Sequence, residues 1–581
     1  MTVDEINERI KDRFSDIPEY NASAYKLELK TGGNDENPEF DYIANGTLLL
    51  ERMIEYDDGA EVKKVLELLA VYGGKQAEQM IIPAEQLTPA NFAARLPVAF
   101  RPARKGRAIA AIVDSVKAQA LSIEEETIYK HTGWIEQDGE PVFLHAGGAI
   151  GSPKKITVEL DEQMAAYRFS EENHADKWEV FRKLVTVAPK RIMYPLIAFA
   201  ALSPLNYFMR DEGIEPAFLM FLHGKTGTLK STLAALLLSF FGSFNNKALP
   251  SSFKDTANSI ELKGQKLADV LTVIDDFHPT ASRQEASEMS GKAQYLCRSY
   301  GDRTGRARLN SDSSMHRSYI PKGNALITGE LNPDIGESGY SRMFLLELKP
   351  GDVDKGILSD VQVRADRLSE CMREFITWIQ NQSAPLPETL RRWFLEYRGR
   401  AASGGHGRTA EQIAHLMVSV KLGAAFLVDS KIETQDRAKQ IIEEAWGIFT
   451  DWEKEQTESI TENNPCVVFL SEIKNLIDTQ GITFCTNFSE KLYYKCGGYQ
   501  DEDYYYLLIK PCIKLVNKSL NEQGNGSRIP LDAKTLKNRL VEDGYAERWA
   551  DGKPEHQKRF GDKTLRVIYL KKSTLEGIAQ I

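Results

Sequence analysis

The chain has 581 residues, 42% of them hydrophobic and 27% charged, with a formal net charge of −10. That length supports several globular cores without covalent staples and implies roughly three to five domains. The negative balance argues against general adhesion to nucleic acid, so any DNA-binding surface must be local.

The six cysteines (Cys297, Cys371, Cys466, Cys485, Cys496 and Cys512) form no C-x-x-C pair and do not cluster with histidine. They read as reduced, mostly buried thiols rather than zinc ligands. "MTVDEINERI" lacks the features of a signal peptide. The longest apolar run, "MYPLIAFAALSPLNYF", holds two prolines and is too short to span a bilayer. A soluble, cytoplasmic protein is the expectation.

Residues 1–120 mix strand and helix patterns and predict an α+β N-terminal domain. Within it, "YDDGAEVKKVLELLAVYGG" has both alternating and helical character. "TPANFAARLPVAFRPARKGRAIAAIVDSVKAQA" reads as two helices around a basic turn with Arg101, Arg104, Lys105 and Arg107. The plainer reading of that turn is a solvated loop. Residues 121–190 lead into the core, and "HTGWIEQDGEPVFLHAGGAIG" predicts a hairpin around a Gln-Asp-Gly turn. Residues 191–355 alternate apolar strands with helices, the mark of an α/β unit with a parallel sheet. Residues 356–457 have helical period, with "AASGGHGR" as a flexible joint. "TESITENNP" reads as a linker into a last domain, 466–581.

"HGKTGTLKST", His223 to Thr232, is close to the phosphate-loop pattern G-x-x-x-x-G-K-[ST]. Gly224, Lys230 and Ser231 fall in register, but Leu229 stands where the second glycine belongs. The context is right. "PAFLMFLHG" is an apolar strand ending in glycine, and "STLAALLLSFFG" is a helix. Gly224, Thr226, Gly227, Thr228, Leu229, Lys230, Ser231 and Thr232 would wrap ATP phosphates with main-chain N–H groups. Lys230 would reach the β- and γ-phosphates, and the Ser231 hydroxyl would bind Mg²⁺. Leu229 keeps the N–H that glycine would offer, so its cost is steric. Two other readings stay open: the deviant loop of partition-type ATPases, with Lys225 as signature lysine, and chance.

"ADVLTVIDDFHP" supplies the second acidic strand such a site needs. Asp275 would hold Mg²⁺, and Asp276 would orient the attacking water. Most such ATPases carry Glu second, so the shorter Asp276 bears on turnover. "GNALITGE" places Thr328, with Glu330 nearby, as a polar sensor of the γ-phosphate. Arg342, just before the strand "MFLLEL", stands where ring ATPases put an arginine finger for the neighbouring subunit; a surface ion pair is the plainer alternative.

Between acid strand and sensor, "YGDRTGRARLNSDSSMHRSYIPKGN" predicts a basic hairpin. From Tyr295 to Gly323 six Lys/Arg, among them Arg303, Arg306, Arg308, Arg317 and Lys322, face two acids. Such a hairpin could grip backbone phosphates in a channel. Near the C-terminus, "IPLDAKTLKNRLVEDGYAERW" has the form of a recognition helix, and 551–573 reads as a two-stranded wing carrying Lys558, Arg559 and Lys563. Winged helices also serve protein contacts.

The strings "HTGWIEQDGEPVFLHAGGAIG", "FAALSP", "LHGKTGTLKST", "LPSSFKDTANSIE", "LTVIDDF", "SYGDRTGRAR" and "ALITGE" occur in this order. The chain thereby resembles the family named domain of unknown function 927, P-loop ATPases of phages, plasmids and integrative elements. Its C-terminal part looks like the tail of replicative helicases carried by mobile cassettes, which are similar to the MCM-like branch of ring motors. The resemblance implies a self-loading, hexameric replicative DNA helicase using ATP and Mg²⁺ on single-stranded or forked DNA, with a replication initiator or primase as possible partner. By that likeness Lys230, Ser231, Asp275, Asp276, Thr328 and Arg342 carry the ATP chemistry. The expected fold is α/β: a P-loop, AAA+-like core with a helical lid, a mixed N-terminal domain and a C-terminal winged helix. The rivals are an ATP-binding switch, such as an initiator or helicase loader, and a mobile-element regulator that does not unwind.

Overall fold

The computed structural model describes residues 3–578 apart from 35–36, 75, 105, 162, 279–281, 306–307, 310–314, 317, 383–384, 402–406, 487–494, 523–527 and 550–552. The chain forms two compact units, Met1–Thr132 with Leu144–Asp161, and Gly133–Phe143 with Glu162–Ile581.

The first unit rests on a five-stranded sheet in the order Thr157–Val158, Glu125–Tyr129, Gly46–Asp57, Val62–Tyr72, Gln76–Pro83. The ambiguous stretch 62–72 is a strand because it pairs along its length with both neighbours. Cross-strand packing there outweighs the helix propensity of its Lys, Leu and Glu residues. A register shift between Leu50 and Arg52 disturbs the ladder. Gln119, at the end of the helix Ala108–Gln119, accepts from Leu50 N and donates to Leu48 O, both at 2.9 Å. Buried amide groups left without such partners would cost about 1–3 kcal/mol each.

The second unit is organised around five parallel strands: β1 (Leu219–His223), β2 (Ser251–Ser252), β3 (Leu271–Phe277), β4 (Asn324–Gly329) and β5 (Met343–Glu347). Their order is β2-β3-β4-β1-β5, so the sensor strand lies between the phosphate-loop strand and the acid strand. Leu219 to Leu222 are fully buried. Burial on both faces is why β1 reads as an unbroken apolar run. The expected hairpin is present, with Asp138 and Gly139 at positive φ between strands Gly133–Gln137 and Glu140–His145.

Five helices follow, ending with Gln435–Glu462. The stretch expected as a linker, 457–465, belongs to that helix up to Glu462, because Ile460 packs into the core of the parallel sheet. Gln456 seals the outer edge of β5: Leu345 N donates to its Oε1 (2.9 Å) and its Nε2 donates to Leu345 O (2.7 Å). Residues 402–406 of the expected joint lie outside the described residues. Two segments, Lys190–Asp211 and Gly407–Asp429, are long and apolar enough to cross a bilayer, but 83% and 61% of their windows are buried in the fold.

From Pro465 onward, the helices Pro465–Asp478, Ile509–Glu522, Ala533–Glu542 and Lys572–Ile578 share one apolar core with a five-stranded sheet. The hairpin expected as a two-stranded wing forms the edge of this sheet. His556–Phe560 pairs with Lys563–Lys571, whose other side pairs with Tyr504–Leu507. The six cysteines form no disulfide.

Candidate functional site

β1 ends at His223, and the loop that follows turns sharply. A Cβ on Gly224 would lie 2.2 Å from Leu348 O, so only glycine fits there. Gly227 has φ +84. Leu229 has φ 69 and ψ 25, a left-handed conformation. This is the position where the phosphate-loop pattern calls for glycine, and the chain accepts a strain of about 1–2 kcal/mol to hold leucine there. The helix Lys230–Leu238 starts at the next residue, aiming its first N–H groups into the loop.

The Lys230 ammonium folds back into the loop, donating to Gly224 O (2.6 Å) and Lys225 O (3.0 Å). Burial lowers its pKa, opposed by Glu330, Asp275 and Asp276. Thr228 Oγ1 donates to Lys225 O (2.9 Å), which braces the turn. Ser231 Oγ donates to Asp275 Oδ1 (2.7 Å), and Thr328 Oγ1 donates to the same oxygen. Asp276 N donates to Thr328 Oγ1 (3.3 Å), and its carboxylate lies 3.3 Å from Lys254 Nζ. The ladder slips between Ile274 and Phe277, and Asp276 has φ 68. That slip turns two successive carboxylates out at the strand end.

Hydroxyl and carboxylate oxygens at a helix start are hard donors suited to Mg²⁺, and Ser231 with Asp275 offers that pair. Glu330 accepts from Thr226 Oγ1 and lies 2.9 Å from His278 Nδ1. The Thr226 hydrogen bond, then His278 and Lys230, hold its carboxyl below the usual range. Thr232 Oγ1, by contrast, accepts from Asn246 Nδ2 at 3.4 Å. Sequence reading passed over Lys254 and His278. Both lie inside quoted strings, Lys254 in "LPSSFKDTANSIE" and His278 in "ADVLTVIDDFHP", but only the folded loops bring them beside Asp276 and Glu330.

Arg342 lies at the opposite end of the sheet, where its carbonyl accepts from Leu219 N (3.0 Å). The length of β5, about 16 Å at 3.3 Å per residue, separates it from its own phosphate loop. Its guanidinium donates to Asp302 Oδ1 (2.9 Å), Ser338 O (2.6 Å) and Ser338 Oγ (2.7 Å). Arg408 shares Asp302 Oδ1 at 3.3 Å.

The basic hairpin is present in its paired part, Arg308 opposite His316 and Leu309 opposite Met315. Arg306 and Arg317 lie outside the described residues. Arg303 corrects the sequence reading. Its guanidinium donates to Pro216 O (2.8 Å), Pro321 O (3.2 Å), Gly323 O (2.7 Å) and Asn324 Oδ1 (3.2 Å). It therefore holds the return leg of the hairpin, with four of its five N–H groups already given to the chain's own acceptors. Lys322, on the return leg, is partly buried, and its carbonyl accepts from Asn206 Nδ2 (3.3 Å).

In the C-terminal sheet Lys558 Nζ sits 3.5 Å from the centroid of Tyr506 and 3.4 Å from Asp501 Oδ2. Arg559 and Lys563 are exposed on either side of the turn at Gly561. Arg539, on the helix expected to read DNA, donates to Glu337 Oε2 (3.0 Å) instead.

No protein-family model matches the chain. No curated protein matches it either. Among solved structures, an active helicase, the Cch of SCCmec type IV, shares the fold. It aligns over 96% of this chain and 99% of its own, with a TM-score of 0.60 and 13% identity. The C-terminal region of NrS-1 aligns over 74% of this chain and 93% of its own at a TM-score of 0.23 and 11% identity, too low to carry an argument. The chain is thus a mixed α/β protein with a parallel-sheet core and the fold of that helicase.

Proposed function

We propose that the chain is an ATP-driven DNA helicase that works as a ring in the replication of a mobile genetic element. One observation carries the ATP half of this reading. Ser231, from the phosphate loop, and Thr328, from the sensor strand, both donate to Asp275 Oδ1. A helix start and a neighbouring strand thereby fix one carboxylate, which is what a magnesium–nucleotide site requires.

ATP with Mg²⁺ supplies the phosphoryl group whose transfer to water is the energy source. Lys230 exchanges its two carbonyl partners for phosphate oxygens. Ser231 and Asp275 hold the metal, Thr328 keeps Asp275 aimed, and Asp276 orients the water. Arg342 serves the neighbouring subunit, since it stands at the far end of its own sheet. The hairpin 303–322 follows single-stranded or forked DNA, while Arg559 and Lys563 of a winged-helix module add phosphate contacts. A replication initiator or primase is the proposed partner, and the cytoplasm the proposed location. The helicase half draws its support from the shared fold.

A second reading, an ATP-binding switch such as a helicase loader, has its own observation. Arg342 is fully engaged within its own subunit by Asp302 and Ser338. Steady-state ATPase with and without single-stranded DNA, with Lys230→Ala alongside, separates the readings. Turnover raised several-fold by DNA and lost in the variant is the expected result. Binding without turnover, or turnover indifferent to DNA, would replace the motor with the switch.

A further inference from the structure

Between Asn91 and Val113 the chain carries Arg95, Arg101, Arg104, Lys105 and Arg107 and no Asp or Glu. On a chain of net charge −10 this is the reverse of the average. Arg95, Arg101, Arg104 and Arg107 are exposed. Among the described residues, none of these four side chains has an ion pair, hydrogen bond or ring contact. Other cations of the same unit are paired: Arg52 with Glu67 and Glu126, Lys64 with Glu55 and Glu125, Lys130 with Glu159.

The segment is also fixed in place. Asn45 Nδ2 donates to Ala99 O (3.0 Å) and Arg101 N donates to Asn45 Oδ1 (2.6 Å). Ala44 and Pro102 form an antiparallel bridge, and Ala103 N donates to Ile43 O (2.7 Å). Phe100 is buried edge-on against Tyr72, 6.0 Å between centroids. With Phe100 turned in, Arg101 is turned out, because successive side chains of extended backbone face opposite ways. Arg107 then enters the helix Ala108–Gln119. The arginines are thus presented from an ordered platform.

We propose that Arg101, Arg104 and Arg107 form a second nucleic-acid contact that binds the phosphate backbone without reading sequence. Planar guanidinium groups pair bidentately with phosphate, and an unpaired cluster need not first break internal ion pairs. An anionic membrane offers the same charge. However, Val98, at 103% exposure, is a lone apolar side chain there, and one valine is too little for stable membrane anchoring. This contact adds to the proposed motor but does not depend on the nucleotide site.

The test uses the full chain with Arg101→Gln, Arg104→Gln and Arg107→Gln combined, and fluorescence anisotropy with labelled oligo-dT from 50 to 200 mM salt. Binding should weaken about tenfold at low salt, and the slope of log K against log salt should shrink by about 2, near 0.7 per lost phosphate contact. DNA-free ATPase and melting temperature should not change. A second triple variant, with glutamate at the same positions, should weaken binding further. Unchanged affinity and slope in both variants would overturn the proposal. So would wild-type flotation with phosphatidylserine vesicles, lost in the variants, alongside unchanged DNA binding. Loss of ATPase in the wild type would sink the motor reading and leave this contact standing.

Discussion

Two arginine-bearing segments, the base of the hairpin at Arg303 and the platform from Arg95 to Arg107, look alike in sequence and end in opposite states. Arg303 is mostly buried, and four of its donors go to carbonyls of Pro216, Pro321 and Gly323 and to Asn324 Oδ1. The platform arginines are exposed and unpaired. Local charge excess thus marks a place where phosphate could bind only if the chain's own carbonyls have not already taken the donors. Arg342 stands between the two cases, engaged by its own subunit but through an exposed aspartate.

The largest expected effect concerns that intermediate case. Arg342→Ala should reduce turnover about a thousandfold if the guanidinium acts on a neighbouring site. Mixing it with inactive Lys230→Ala subunits should then restore turnover, and an unrescued mixture at every ratio would class Arg342 with Arg303 as structural. Asp302→Asn should raise DNA-independent turnover, read in the same assay, because it loosens the internal hold.

Next comes stability. Arg303→Ala leaves several buried acceptors unpaired and should cost about 3–5 kcal/mol, whereas Arg101→Ala should stay within about 0.5 kcal/mol. Urea denaturation of the two variants decides it, and equal losses would erase the comparison.

A pH effect sits in the same network. Burial, partly offset by Arg210 and Trp134 N, raises the Asp269 carboxyl to about 6. An acid whose folded pKa lies above its unfolded value stabilises the fold fully below the unfolded value, near 3.8, and loses that contribution as pH rises through about 6. Asp269→Asn should remove a decline of about 3 kcal/mol over that window, visible as a flatter stability profile. The smallest effect is expected from Leu229→Gly, which relieves the left-handed strain and should gain about 1 kcal/mol in the same denaturation experiment.

The turn from Gly224 to Lys230 was legible because everything it needs is local. A strand buried on both faces gives an apolar run, the tight approach to Leu348 demands Gly224, and the helix starts at Lys230. The convergence of Ser231 and Thr328 on Asp275 followed from the sheet order. The fate of Arg303 was hidden because its acceptors at 216 and 321–324 are set by folding, not by spacing. The C-terminal sheet was hidden for the same reason: the pattern of 556–571 shows a hairpin, but nothing local tells that Tyr504–Leu507 occupies its other side. Residues 457–462 looked polar enough for a linker, and one buried side chain, Ile460, keeps them helical.

The double hydrogen bond from Gln456 to Leu345 has a consequence for assembly. It closes the outer rim of β5 with a side-chain mimic of a sixth strand, while the opposite rim, β2, is two residues long. Neither rim offers a ladder for another copy to extend, so copies in the proposed ring would not join through this sheet. In that ring, contacts made away from the sheet would be free to break and remake as nucleotide turns over, whereas a shared sheet would weld the subunits together.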